Sequence, residues 1–181
     1  SLLMNQTISF VEEDSEKLGH LIVNHKFDQF KMTEESGRLI KTFQGHTKWV
    51  FWIEQIEDFS KIITCSEDNS IKIWSTESGK CLKTLKGHTQ YVRCLIISND
   101  KKYLISGSWD KTIKVWNIAN DFECVQTLQQ EESVETLCLL PNNVLACGLD
   151  NGKITKWNLN NFTQVDSFKA HESAIDDLKH V

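Results

Sequence analysis

The chain has 181 residues, 40% of them hydrophobic, and a net charge of −5. That is enough apolar material for a folded core, and with no long basic run it gives no support to nucleic-acid binding. No stretch of 18 apolar residues exists, so no membrane insertion is predicted, and the first residues lack the basic start and apolar run of a secretory signal. Six cysteines, at 65, 81, 94, 124, 138 and 147, contain no CxxC pair. Neither a zinc site nor a dithiol motif is therefore predicted. Most of them fall at apolar strand positions and read as small buried hydrophobes in a reducing compartment.

Taken in chain order, the sequence repeats itself. Residues 1–38 read as a degenerate first unit. Clear units follow over 39–80, 81–123 and 124–162, and 163–181 begins another, all within one predicted domain. Three tryptophans set the register. SIKIW ends at Trp74, TIKVW at Trp116 and KITKW at Trp157, in steps of 42 and 41 residues. Gly45-His46 returns 42 residues later as Gly87-His88, then as Gln129-Gln130 and Ala170-His171. An aspartate stands six residues before the first two tryptophans, at Asp68 and Asp110; the third copy has Asn151 there, with Asp150 beside it.

Each unit reads as four short strands. From Tyr91 onward they are 91–98, 103–109 and 112–118, with 124–128 as the closing strand, separated by turn residues. Runs rich in Val, Ile, Thr and aromatic residues, bounded in this way, predict antiparallel hairpins. The turn Glu77-Ser-Gly79 repeats Glu35-Ser-Gly37, where glycine supplies a positive φ. No segment holds a helical period, so the chain is expected to be all-β. One four-stranded sheet cannot bury both its faces, whereas radially stacked sheets bury them against each other, which is the logic of a β-propeller.

The tryptophans, the two intact Gly-His pairs and the aspartates together resemble the WD repeat of the β-transducin-like family. The resemblance is closest from Gly87-His88 through Asp110 to Trp116. It covers about residues 39–181, while the first unit has Met32 in the tryptophan slot and Met4 in the histidine slot. It implies about four blades of a WD-type propeller and two hydrogen-bonded tetrads, His46, Thr64, Asp68 and Trp74, and His88, Ser106, Asp110 and Trp116. A buried indole N–H needs an acceptor and a buried aspartate needs donors, and an imidazole can relay between them. The third unit lacks the histidine and has Ala146 or Cys147 in the serine slot, so a looser blade is expected there.

A Ser–His–Asp set also suggests a hydrolase triad. Its recurrence at the repeat spacing points instead to a structural staple, because roles follow geometry rather than composition. The histidines at 20, 25, 46, 88, 171 and 180 have no metal-ligand spacing. The expectation is a non-enzyme without cofactor or metal, located in the cytoplasm, with the nucleus left open. By the resemblance, partner-binding residues lie on an upper rim: Trp49, Phe51 and Glu67, then Tyr91, Arg93 and Trp109, then Ser133, Glu135 and Leu149, then Ala174 and Asp176. Trp52 reads as filler between blades. Trp, Tyr and Arg are enriched at interfaces, and the acidic neighbours favour a ligand of basic character. The implied function is an interaction scaffold for protein or peptide partners; the alternative is the substrate-recognition module of a larger adaptor such as a ubiquitin-ligase receptor.

A closed WD propeller usually has about seven or eight blades. The chain starts near an innermost strand and 174–181 reads as another. Three arrangements stay open: part of a longer propeller, two copies pairing into an eight-blade ring, or a four-blade closure.

Overall fold

The computed structural model describes the backbone of residues 7–11, 18–22, 29–34, 39–56 and 60–180, and the side chains of 41–56 and 60–180. Met4, His25, the side chains of His20 and Met32, the turn 35–37 and Val181 lie outside these. Two compact units divide the chain, Ser1–Lys86 and Gly87–Val181.

The first unit holds two antiparallel four-stranded sheets. The first sheet runs β1 (Thr7–Val11), β2 (Leu18–Ile22), β3 (Gln29–Glu34), β4 (Leu39–Gln44); the second runs β5 (Val50–Ile56), β6 (Lys61–Ser66), β7 (Ile71–Ser75), β8 (Cys81–Leu85). The second unit holds two more. The third sheet runs β9 (Val92–Ile97), β10 (Tyr103–Ser108), β11 (Thr112–Asn117), β12 (Glu123–Gln129); the fourth runs β13 (Val134–Leu140), β14 (Val144–Leu149), β15 (Lys153–Asn158), β16 (Thr163–Lys169). The expected all-β class holds, and the four-stranded antiparallel sheets fit part of a WD propeller. The one helical segment among the described residues is a 3₁₀ turn, Pro141–Asn143.

The burial pattern explains the strand sequences. The second strand of a sheet, such as β10, is buried on both faces along nearly its whole length, so it shows no alternation. The fourth strand, such as β12, is mostly exposed. That exposure corrects the reading of the cysteines: Cys65, Cys94, Cys138 and Cys147 are buried, but Cys81 and Cys124 sit on fourth strands and are exposed. Burial pushes the Cys94 thiol up to about 12 and raises that of Cys147 as well, so these two behave as apolar filler.

Packing within each unit joins consecutive sheets. In the first unit, Phe43 on β4 is fully buried and meets Trp74 on β7 edge-on at 6.0 Å. Lys41 Nζ also donates to the Thr76 carbonyl, 3.0 Å away, in the turn after β7. In the second unit, Leu128 on β12 joins Cys94, Ile105, Val134, Cys147 and Trp157 in one core. Removing such a side chain from water is worth about 2 kcal/mol. Phe168 on β16 pairs with Ile154 just as Leu128 pairs with Ile113, yet it is 42% exposed where Leu128 is 2% exposed.

Residues 174–180 do not form the expected strand. A first strand needs a second to complete its ladder, and none is available to it among the described residues. The segment instead docks by one residue. Ile175 is buried against Gly148, and its N–H reaches the Leu149 carbonyl at 3.3 Å.

Candidate functional site

Two complete hydrogen-bonded chains stand at the expected positions. In the third sheet, the Trp116 indole N–H donates to Ser106 Oγ (2.9 Å), Ser106 lies 2.7 Å from His88 Nε2, and His88 Nδ1 lies 2.8 Å from Asp110 Oδ2. A carboxylate only accepts, so the imidazole proton is on Nδ1, and Nε2 accepts the serine proton. The Thr112 N–H and hydroxyl donate to Asp110 Oδ1, and the Thr89 N–H donates to Oδ2. Burial pushes the Asp110 carboxyl up, but the His88 and Thr112 hydrogen bonds outweigh it and hold it well below the ordinary carboxylate range. The second sheet repeats the set: Trp74 to Thr64 at 2.8 Å, Thr64 to His46 at 2.7 Å, His46 to Asp68 at 2.8 Å. Burial and the His46 and Ser70 hydrogen bonds oppose each other at Asp68 in the same way, with the same net lowering.

The Gly-His marker now has a cause. A Cβ on Gly45 would meet the Trp74 ring at 3.2 Å and one on Gly87 the Trp116 ring at 3.3 Å, both at positive φ. The glycine thus lets the backbone lie on the indole, whose N–H donates to the hydroxyl that the adjoining histidine in turn holds. The Ser–His–Asp geometry is that of a triad, but Ser106 has no exposure and its oxygen already accepts from Trp116. A hydroxyl so enclosed has no path to a substrate. Among the described residues no cluster of metal-ligating side chains forms, and no helix is long and apolar enough to cross a membrane.

The fourth sheet solves the same problem differently. Cys147 pairs with Thr155 as Ser106 pairs with Lys114, so Cys147 and not Ala146 holds the serine slot. The Trp157 indole N–H donates to Thr155 Oγ1 (3.3 Å), and Thr155 donates to Gln130 Oε1 (2.9 Å). Gln130 fills the histidine place, but its Nε2 is buried without a partner. Sequence reasoning missed Thr155 because that strand position is lysine in the other two units.

The predicted rim residues occupy the end of each sheet where the first strand begins. A shared backbone bond marks the place: Glu67 N–H to Trp49 O, Trp109 N–H to Tyr91 O, Asp150 N–H to Ser133 O. Asp150 is therefore the equivalent of Glu67 and Trp109. Leu149, expected there, is fully buried in the core. Asn151 fills the turn acid's role by accepting the Lys153 N–H, so the residue before it, at the rim, is Asp150 and not Leu149.

In the first unit, Trp49 is 50% exposed, Phe51 and Trp52 are half-buried, and Glu67 pairs with Lys48 at 3.4 Å. Trp52 donates its indole N–H to Glu54, whose carboxyl burial raises. In the second unit, Trp109 is 38% exposed and its ring lies 5.1 Å from that of half-buried Tyr91, tilted 31°. Arg93 Nε donates to Glu135 Oε2 at 3.1 Å, and the Glu135 side chain is only 5% exposed. Exposed Asp176 and half-buried Ala174 follow on the terminal segment.

One signal was invisible in the sequence. Phe51, Arg93 and Glu135 are each the extra residue of a β-bulge, since the ladder steps from Val50 to Trp52, from Val92 to Cys94 and from Val134 to Thr136. Bulges re-aim a side chain and recur beside functional sites.

Residues 37–75 and 79–117 each match the family model of the WD domain, G-beta repeat. No curated protein matches the chain. Each matched segment starts at the fourth strand of one sheet and ends at the third strand of the next.

Proposed function

Since the chain is a WD-repeat protein, and WD repeats generally mediate protein–protein interactions and are typically non-catalytic, we propose that it is a scaffold holding protein or peptide partners at the rim ends of its sheets. The observation that carries this reading is the half-open Tyr91–Trp109 ring pair. A soluble fold gains nothing by leaving a tryptophan face in water, while interface hot spots are enriched in Trp and Tyr. Exposed Trp49 in the first unit supports the same reading.

The test is quantitative capture of partners from extracts by the intact chain and by Trp109→Ala and Tyr91→Ala. Both variants are expected to keep the wild-type unfolding transition to within about 1 kcal/mol, because neither residue is in the core, and to lose partners. Unchanged capture of every partner by both variants removes the rim from the reading.

A specific observation also favours a second kind of partner. Phe168 stands exposed at a register place that is otherwise core. We read this face of the fourth sheet as one on which a further four-stranded sheet packs, from a second copy of the chain or from other blades of a longer one. Sedimentation of the chain and of Phe168→Glu tests the first source: a dimer that the substitution splits supports it, and a monomer at all concentrations removes it.

A further inference from the structure

Residues 170–175 follow the path by which a sheet begins in this unit. The Ala170 and His171 N–H groups donate to the Gly152 carbonyl at 2.9 and 3.0 Å, as the Gln130 N–H donates to the Lys111 carbonyl at 2.8 Å. Ile175 stands four residues after His171, as Val134 stands four residues after Gln130, and the two pack alike. A Cβ on Gly107 would meet Val134 Cγ1 at 2.5 Å, and one on Gly148 would meet Ile175 Cγ2 at 2.8 Å. The contact that joins the third sheet to the fourth is thus repeated on the far face of the fourth.

After Ile175 the repetition stops. Among the described residues, 176–180 make no backbone hydrogen bond. Leu178 is half-buried where Leu95 and Leu137, at the same step from their slots, are buried. Ile154 is half-buried where Ile113 is fully buried, and Phe168 is exposed. The residue in the histidine slot indicates what the absent strands carry. His46 and His88 each stand between a hydroxyl on the second strand and an aspartate in the turn after it. Gln130, in the same slot, goes instead with Cys147 and Asn151. A buried imidazole needs a donor at one nitrogen and an acceptor at the other. The His171 ring is exposed and meets neither among the described residues.

We propose that residues 170–180 are the first strand of a sheet completed by three antiparallel strands of a partner. The partner carries a serine or threonine on the first of these, an aspartate in the next turn and a tryptophan on the second. This rests on the reading of the fourth sheet's open face given above and names its occupant. Strand addition pairs the backbone of 176–180, apolar side chains of the partner cover Phe168 and Ile154, and His171 closes the hydrogen-bonded chain. A complete four-stranded sheet is not the occupant, because its own first strand would need the place that Ile175 fills.

The probe is a peptide of residues 98–129 of this chain, which spans β10, β11 and β12 and carries Ser106, Asp110 and Trp116. It is titrated into the labelled 181-residue chain while the His171 ring and Ile175 methyl resonances are followed by NMR. The expected result is saturable binding that shifts both signals. His171→Ala in the chain, or Asp110→Asn in the peptide, should each weaken it at least about tenfold. His171 is exposed in the unbound chain, so its substitution leaves the fold intact. No binding, equal affinity for His171→Ala, or shifts confined to the chain's own third sheet overturns the proposal. The two readings of this face fail separately. If a dimer is split by Phe168→Glu while the peptide leaves His171 unmoved, the second-copy reading stands and the three-stranded partner falls. If the chain is a monomer at all concentrations and the peptide titrates His171, the three-stranded partner stands and the second copy falls.

Discussion

The third and fourth sheets pack on one core and pair their strands in the same register, but they hold their tryptophans by different means. In the third sheet the Trp116 indole is served by a hydroxyl on the second strand, and the chain of bonds ends on an aspartate with every group engaged. In the fourth, a thiol occupies that hydroxyl's place, the accepting oxygen has moved to the third strand at Thr155, and the chain ends on Gln130 with a buried donor left over. The difference separates what the blade requires from what it merely tends to use. It requires an acceptor for a buried indole N–H. A histidine and an aspartate are one way to carry the remaining bonds outward, and they leave no orphan.

The largest loss of stability is expected at the turn between the second and third strands. Lys111 adopts φ 63° there, and Gly152 adopts φ 79° at the same place in the fourth sheet. At Gly152 the chain lies so close over the turn that an added Cβ would collide with the His171 and Ser173 carbonyls. Gly152→Ala should cost about 3 to 5 kcal/mol in urea unfolding. A neutral result would mean that the segment after β16 does not hold the place described. His88→Ala comes next. It strips donors and acceptors from buried Asp110 and Ser106, and a loss of about 2 to 4 kcal/mol is expected by the same measurement. Gln130→Ala sharpens the contrast: it removes one acceptor but also an orphan donor, so about 1 kcal/mol or less should be lost.

Rebuilding the third-sheet arrangement in the fourth, with Gln130→His, Cys147→Ser and Asn151→Asp together, should gain about 1 kcal/mol. Gln130→His alone, without an aspartate to receive its Nδ1 proton, should gain nothing.

The smallest effect is in acid. The Asp110 carboxyl is lowered on folding from its ordinary 3.8. Its contribution is therefore fully present above the unfolded value and is lost as pH falls through the folded one. Stability should decline below about pH 4, and Asp110→Asn should flatten that decline while lowering stability at neutral pH. Asn151 in the fourth sheet has no such titration to contribute.

Strand pairing and the two tetrads were legible in the sequence because their demands recur at a fixed spacing: a glycine under an indole, a histidine beside it, an aspartate in a tight turn. The rewired blade was legible only as a defect. Thr155 replaces Ser106 from another strand, and no spacing rule links a lysine slot to a missing serine. The Leu149 assignment failed locally. The connection between first and second strands, Pro141–Asn143, has three residues in the fourth sheet against five in the third, and two polar residues, Asp150 and Asn151, stand side by side at the next turn. The bulges at Phe51, Arg93 and Glu135 could not be read at all, because a bulge adds no composition. It shows only when each residue's ladder partner is known. The terminal strand failed for a related reason: residues 174–180 have the alternation of a strand, but alternation does not supply a neighbour.

The repeat in the letters and the sheet in space are out of step by one strand, and this decides where the chain can be divided. A truncation designed on the repeat, ending at Trp116 or Asn117, would delete β12 and leave Thr112–Asn117 as a raw edge, with Leu128 gone from the core. Cuts that respect the sheets fall instead in the short connectors before each Gly-His pair or its counterpart. For anyone assembling chimaeras from such chains, the exchangeable cassette is the sheet together with the loop that brings in its histidine.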